Sequence, residues 1–196
     1  MKKIIAVDFD LTFADTLTPW FEYCSGSSGS WLKMEDVPDS IGDLVPWFES
    51  QGAVNPFSYW TQSDLCDYIK PMENAVNVLN ECIDNGYMVI FITHCVPEHE
   101  ASKRRFVEKW LPRHSAFIST KDKHFVEFDV LIDDNYKVTR KCNEVFKHTI
   151  TPTTPNFFRI NVHGFNYNLP ADNEYGQFWN NVSAKFIMRV ADKRGI

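Results

Sequence analysis

Residues 3–9 (KIIAVDF) form an apolar, β-branched run that ends on a carboxylate, and a second carboxylate follows two residues later in VDFDLTFADT. Such a run reads as a strand buried on both faces. A strand of this kind belongs to a parallel sheet covered by helices, which narrows the fold more than any other feature. The same arrangement recurs downstream. Tyr87–Ile92 (YMVIFI) reads as a buried strand followed by Thr93 and His94, and Val130–Ile132 leads into Asp133 and Asp134. A shorter strand, Ala116–Ser119 (AFIS), precedes Lys121, Asp122 and Lys123. Helical segments are expected between them. Pro71 would open one whose apolar Met72, Val76, Leu79 and Ile83 recur at helical spacing and which Gly86 stops. A charged helix over Pro97–Leu111 turns Phe106, Val107 and Trp110 inward, another covers Asn135–Lys147, and Phe157–Val162 (FFRINV) is expected as a last strand. Strands alternating with helices imply a Rossmann-like parallel sheet flanked by helices, an α/β fold. Ligands of such sheets lie beyond the carboxyl ends of the strands, where all these polar clusters would gather.

The stretch 17–70 is different in character. It holds four prolines, the serine-rich run Ser25–Ser30 (SGSSGS), expected as a flexible loop, and many aromatics. It is expected as a small, mainly helical cap inserted after the first strand, with 1–16 and 71–196 forming the core domain. Trp20, Phe21, Trp47 and Phe48 are its candidates for stacking on a flat ligand, against the alternative that they are core of the cap. The 196 residues suit one domain with a modest insertion. A formal net charge of −6 argues against a duplex nucleic-acid binder. Cys24, Cys66, Cys82, Cys95 and Cys142 are odd in number and show no CxxC spacing, which suggests buried thiols in a reducing compartment. The acidic residues come too soon for a signal peptide, and no apolar run approaches the roughly 20 residues of a membrane span. A cytoplasmic protein with no membrane partner is expected.

Carboxylates gathered at one sheet edge repel each other and call for a cation among them. Magnesium prefers carboxylate oxygens and often takes a phosphate oxygen as well. Asp8, the backbone carbonyl of Asp10, and one or both of Asp133 and Asp134 are the candidate ligands. Asp8 could attack phosphorus to form an aspartyl-phosphate, and Asp10 could protonate the leaving oxygen and later deprotonate water. Thr93 and Lys123 would donate to the equatorial oxygens, with Lys121 and His94 as further candidate phosphate contacts. Simpler roles compete: Asp133–Asp134 as a helix cap, Thr93 as a capping hydroxyl, and His94 as a local hydrogen-bonding residue.

These residues resemble the motifs of the haloacid dehalogenase superfamily. VDFDLTFADT resembles motif I, Thr93 of FITH motif II, Lys123 motif III and LIDD motif IV. The 5'(3')-deoxyribonucleotidase branch is the nearer likeness. Its opening resembles DFDLTFAD, and the run TKDKHFVEFDVLIDD, the helix segment RFVEKWL and the later FFRINVHGFNYNLP resemble further parts of it. Members usually carry Gly where this chain has Leu11, and an aromatic that contacts the base falls at Thr16. The resemblance implies a magnesium-dependent phosphomonoester hydrolase acting on nucleoside monophosphates, whose partner is a small phosphorylated substrate; a homodimer is compatible with it. Sugar phosphates, nucleic-acid 3'-phosphate ends and a catalytically silent phosphate-binding module are the alternatives. A phosphorylatable signalling receiver also gathers aspartates and a lysine, but its acids follow the strands in a different order.

Overall fold

The computed structural model describes residues 2–38, 43–152, 166–168 and 177–193. β1 (Ile4–Val7) is the buried opening strand. Beyond it the chain folds back tightly: Leu11 takes φ of +58°, and its N–H donates to the Ala14 carbonyl at 3.1 Å. The turn delivers β2 (Ala14–Asp15) and then α1 (Leu17–Ser28). Gly29 ends α1, since φ of 71° lets its N–H reach back to the Ser25 carbonyl. The loop expected over Ser25–Ser30 is therefore corrected to a helix end. Ser27 and Ser28 donate to the Cys24 and Ser25 carbonyls one turn back, and Ser25 Oγ accepts the Leu32 N–H.

Short helical pieces follow: a 3₁₀ turn over Met34–Asp36, α2 (Leu44–Ser50), capped by the Asp43 side chain, a 3₁₀ turn over Pro56–Thr61, and α3 (Leu65–Tyr68). β3 (Lys70–Pro71) then returns antiparallel to β2, pairing Ala14 with Pro71. The helical insertion thus leaves and rejoins the rest of the chain through neighbouring strands. This pairing displaces the helix expected to open at Pro71. Met72 N–H donates to the Phe13 carbonyl at 2.7 Å, so α4 begins only at Ala75 and runs over Ala75–Asp84. Gly86, at φ of 88°, does end it.

β4 (Met88–Thr93), α5 (Pro97–Trp110), β5 (Ala116–Ser119), β6 (Val130–Ile132) and α6 (Tyr136–Glu144) follow close to their expected places. β7 (His148–Thr151), β8 (Asn166–Asn168), α7 (Phe178–Asn181) and α8 (Ala184–Asp192) complete the described chain. The strand expected over Phe157–Val162 lies outside the described residues.

The large sheet has the order β5-β4-β1-β6-β7-β8, and every pairing in it is parallel. Alternation along the strands explains why both faces are covered. Ile5, Val7, Val89, Phe91, Val130 and Ile132 enter one cluster with residues of α4, α5 and α8. Ala6, Ile90, Ile92 and Leu131 enter another with Phe128 and Cys142. The insertion has a cluster of its own around Trp20, Phe21, Trp47, Phe48 and Tyr59. All five cysteines are free thiols, and Cys95 alone is not buried. No helix of the described residues is long and apolar enough to cross a membrane.

One contact ties the C-terminal segment to the turn after β1. Trp179 is buried, and its indole Nε1 donates to the Thr12 carbonyl at 2.6 Å. Trp179→Phe keeps most of the apolar bulk but strands that carbonyl. We expect a loss of about 1–3 kcal/mol, the usual cost of an orphaned buried acceptor. Urea unfolding monitored by far-ultraviolet circular dichroism checks it, and an unchanged midpoint would show that the bond contributes nothing.

Candidate active site

Strand register alone brings the acidic residues together. Val7 is level with Ile132 on one side and Phe91 on the other. The ladder continues one residue past the strand ends: Asp8 N–H donates to the Ile132 carbonyl at 2.8 Å, and Asp133 N–H to the Ile150 carbonyl at 3.1 Å. Asp8 and Asp133 therefore leave the sheet side by side. Thr93 closes β4 at the same edge, level with Ser119. This is the crevice beyond the carboxyl ends of a parallel sheet.

The electrostatics of this edge are severe. Asp8, Asp133, Thr93 and Lys123 are all buried. Lys123 Nζ donates to Asp8 Oδ1 at 2.5 Å and to Asp133 Oδ2 at 2.8 Å. Burial works against the charge on Lys123, but the two carboxylates outweigh it and raise its pKa. One carboxylate oxygen from each of Asp8, Asp133 and Asp134 lies within 4.8 Å of the other two. A single ammonium among three carboxylates leaves excess negative charge in a dry place. Burial accordingly pushes the carboxyls of Asp133 and Asp134 up from the ordinary range, and the charge of Asp8 adds to both. An all-oxygen donor set with surplus negative charge fits a hard divalent cation.

Local bonds hold these acids in place. Thr12 Oγ1 donates to Asp134 Oδ1 and accepts the Asp134 N–H, both at 3.2 Å. Asp133 Oδ1 accepts the Asn135 N–H at 2.8 Å. The helix-capping role weighed for the acid pair belongs instead to Asn135, whose side chain accepts the Lys137 N–H at 3.0 Å.

A residue missed by the sequence reading completes the cluster. Lys103, on α5, is buried at 3% exposure; its ammonium is ion-paired with Asp10 and donates to Thr93 Oγ1 at 3.3 Å. It also lies 4.8 Å from the centre of the Phe9 ring. Burial opposes its charge, and the Asp10 carboxylate outweighs that effect. The signal was present. Lys103 precedes Phe106 by three residues and Val107 by four, which puts it on the inner face of the helix. It was masked because the segment EASKRRFVEKW also carries Arg104, Arg105 and Lys109.

The cluster opens into a cavity of about 420 Å³ lined by Asp8, Asp10, Thr93, His94, Lys121 and Lys123, with Leu11 and Asp134 also in its wall. Apart from Asp133, which is fully buried, the sequence-predicted polar residues are thus brought together around one space, with His94 and Lys121 exposed. The four aromatic candidates are not. Trp20, Phe21, Trp47 and Phe48 are buried in a core cluster of residues 17–70 and do not line the cavity, so of the two roles weighed for them the structure shows the core one and not stacking on a ligand. They satisfy one another: Phe21 and Phe48 meet edge-to-face at 4.8 Å, Trp20 and Phe48 at 5.0 Å, and Trp20 Nε1 donates to the Pro56 carbonyl.

Comparison with known proteins agrees with this geometry. A family model described as 5' nucleotidase, deoxy (pyrimidine), cytosolic type C protein matches residues 2–161. A 5'(3')-deoxyribonucleotidase of Bacillus subtilis (strain 168) is 25% identical over 138 residues, covering 68% of this chain and 77% of the relative. Among solved structures, a family IA, variant 3 hydrolase of the haloacid dehalogenase type from Entamoeba histolytica superposes with a TM-score of 0.53 at 12% identity, covering 98% of this chain and 100% of that one. A hydrolase of the same superfamily from Ehrlichia chaffeensis gives 0.50 at 13% identity, covering 97% and 98%. At those identities the structures speak for the fold alone. The family match spans most of the sequence and includes every acidic residue of the cluster, so the chain belongs to the cytosolic type C 5'-nucleotidase family, phosphatases built on the haloacid dehalogenase fold.

Proposed function

We propose that this protein hydrolyses phosphomonoesters with magnesium through an aspartyl-phosphate on Asp8, and that its substrates are 5'- or 3'-(deoxy)nucleoside monophosphates. The observation that carries this reading is the convergence of Asp8, Asp133 and Asp134 within 4.8 Å, beside a cavity lined by Asp8, Asp134, Thr93 and Lys123. The family and the printed name of the Bacillus subtilis relative support a nucleotide as substrate.

Asp8 is the nucleophile in this reading. Its carboxylate forms a bond to phosphorus while the ester bond to the leaving oxygen breaks. Magnesium held by Asp8, Asp133, Asp134 and the Asp10 carbonyl would keep Asp8 ionised and offset charge on the phosphoryl oxygens. Asp10 lines the cavity two residues further on and supplies the proton to the leaving oxygen. It then takes a proton from the water that attacks phosphorus, releasing inorganic phosphate and restoring the Asp8 carboxylate. Lys103 is a positioning residue here: it fixes the Asp10 carboxylate and the Thr93 hydroxyl relative to each other. Thr93 and Lys123 donate to phosphoryl oxygens, with Lys121 and His94 at the open side. The helical insertion over 17–70 acts as a cap that limits water and selects the leaving group. A cytoplasmic setting accompanies this reading.

Four outcomes follow for purified protein. Asp8→Asn should keep the far-ultraviolet spectrum and lose about three orders of magnitude or more in turnover, the scale for removing a nucleophile; near wild-type phosphate release from a nucleoside monophosphate would refute the assignment. Chelation should abolish hydrolysis of p-nitrophenyl phosphate and magnesium should restore it. Magnesium should also raise the thermal midpoint of the wild type more than that of Asp134→Asn, and equal shifts would place the cation elsewhere. Lys103→Met should slow nucleoside monophosphates by about a hundredfold, the lower range of acid–base effects. It should slow p-nitrophenyl phosphate much less, since that leaving group needs no proton. An equal loss on both substrates would mean that Lys103 does not act through Asp10.

A further inference from the structure

A second, smaller cavity adjoins the catalytic one. It has a volume of about 60 Å³ and is lined by Lys121, Lys123, His124, Lys137, Val138 and Lys141. Lys121, Lys123 and Val138 line both spaces, so the two cavities share a wall. Four lysines and a histidine around so small a volume are unusual in a chain whose formal net charge is −6. Lys137 and Lys141 stand one turn apart on α6, where like charges disfavour the helix. The same helix pairs its other cation, Arg140, with Glu144 at 3.6 Å. Lys121, Lys137 and Lys141 have no ion pair among the described residues, although Lys123 is fully engaged by Asp8 and Asp133. Unneutralised cations converging on a shared space form a site for an anion.

The volume corresponds to about two waters of the liquid, at roughly 30 Å³ each. It suits a compact oxyanion. The shared wall bears on it further, since adjoining spaces suit a molecule with two anionic groups, one toward Asp8 and one among Lys121, Lys137 and Lys141. We infer that this cavity is a second anion subsite, and that the preferred substrate is a nucleoside carrying two separate phosphoryl groups, of the nucleoside 3',5'-bisphosphate class. The inference rests on the nucleotidase reading above and names the substrate class for that site.

The test compares a nucleoside 3',5'-bisphosphate with the two monophosphates of the same nucleoside, in wild type and in the double variant Lys137→Ala/Lys141→Ala, with magnesium present. The wild type should favour the bisphosphate by about tenfold in kcat/KM, the scale of two partly exposed ion pairs. The double variant should lose that preference while its monophosphate kcat/KM changes by less than about threefold, as for weakened steering alone. Binding by calorimetry in the Asp8→Asn background gives a readout independent of turnover, with the same tenfold advantage expected and the same loss. Equal affinity for bisphosphate and monophosphate there overturns the inference, as does a parallel loss for all substrates in the double variant. A 3'-phosphorylated oligonucleotide hydrolysed faster than the bisphosphate would assign the subsite to a chain phosphodiester and overturn it as well. Retention of turnover by Asp8→Asn would refute the nucleotidase mechanism instead, and so separates the two failures.

Discussion

The buried ammonium of Lys123, held between Asp8 and Asp133, is the interaction on which the rest of the molecule depends. A parallel sheet ends its strands at one edge, and this chain places an acid after two adjacent strands. Without a cation between them, two neighbouring carboxylates removed from water would repel each other strongly. Lys123 relieves that repulsion and arrives from the segment between β5 and β6, so the electrostatic requirement also fixes the path of the chain over the edge. The relief is partial. Asp134 adds a third carboxylate, held by Thr12, and the surplus charge is of the kind a divalent ion would offset.

A second lysine solves a related problem one step away. Asp10 sits on the turn after β1, and α5 brings Lys103 under it from the other side. Two buried lysines therefore divide the acids into two sets, one around Asp8 and one at Asp10. A site in which two carboxylates are to perform different tasks needs such separation, because a shared partner would couple their protonation. The turn that carries both acids is itself constrained. Leu11 occupies a left-handed conformation that favours glycine, and the Trp179 bond to the Thr12 carbonyl holds the turn from the C-terminal side.

Much of this was legible in the residue order. β1, β4, β5 and β6 were readable because both faces of each are apolar, and the helices between them because their apolar residues recur at helical spacing. β7 was not, since His148–Thr151 is short and alternates polar with apolar residues like an ordinary loop. Ser25–Ser30 read as a loop from composition, yet serines that bond to carbonyls one turn back extend a helix to its glycine stop. Pro71 carried a valid helix-start signal and was overruled by strand pairing with Ala14. The aromatics of residues 17–70 were ambiguous in principle, because a side chain that stacks on a ligand and one that stacks on its neighbours have the same composition.

By itself, the sequence determined a covered parallel sheet and the polar residues that follow its strands, because strand burial and side-chain alternation are local properties of the chain. Only the tertiary structure decided which charges meet. Lys103 was one cation among several on a charged helix, and Lys137 and Lys141 were ordinary surface lysines, until packing set the first against Asp10 and the others around a cavity beside Asp8. Pairing of charges depends on distances across the fold, and those arise from the register of strands and the docking of helices that no local stretch of residues encodes.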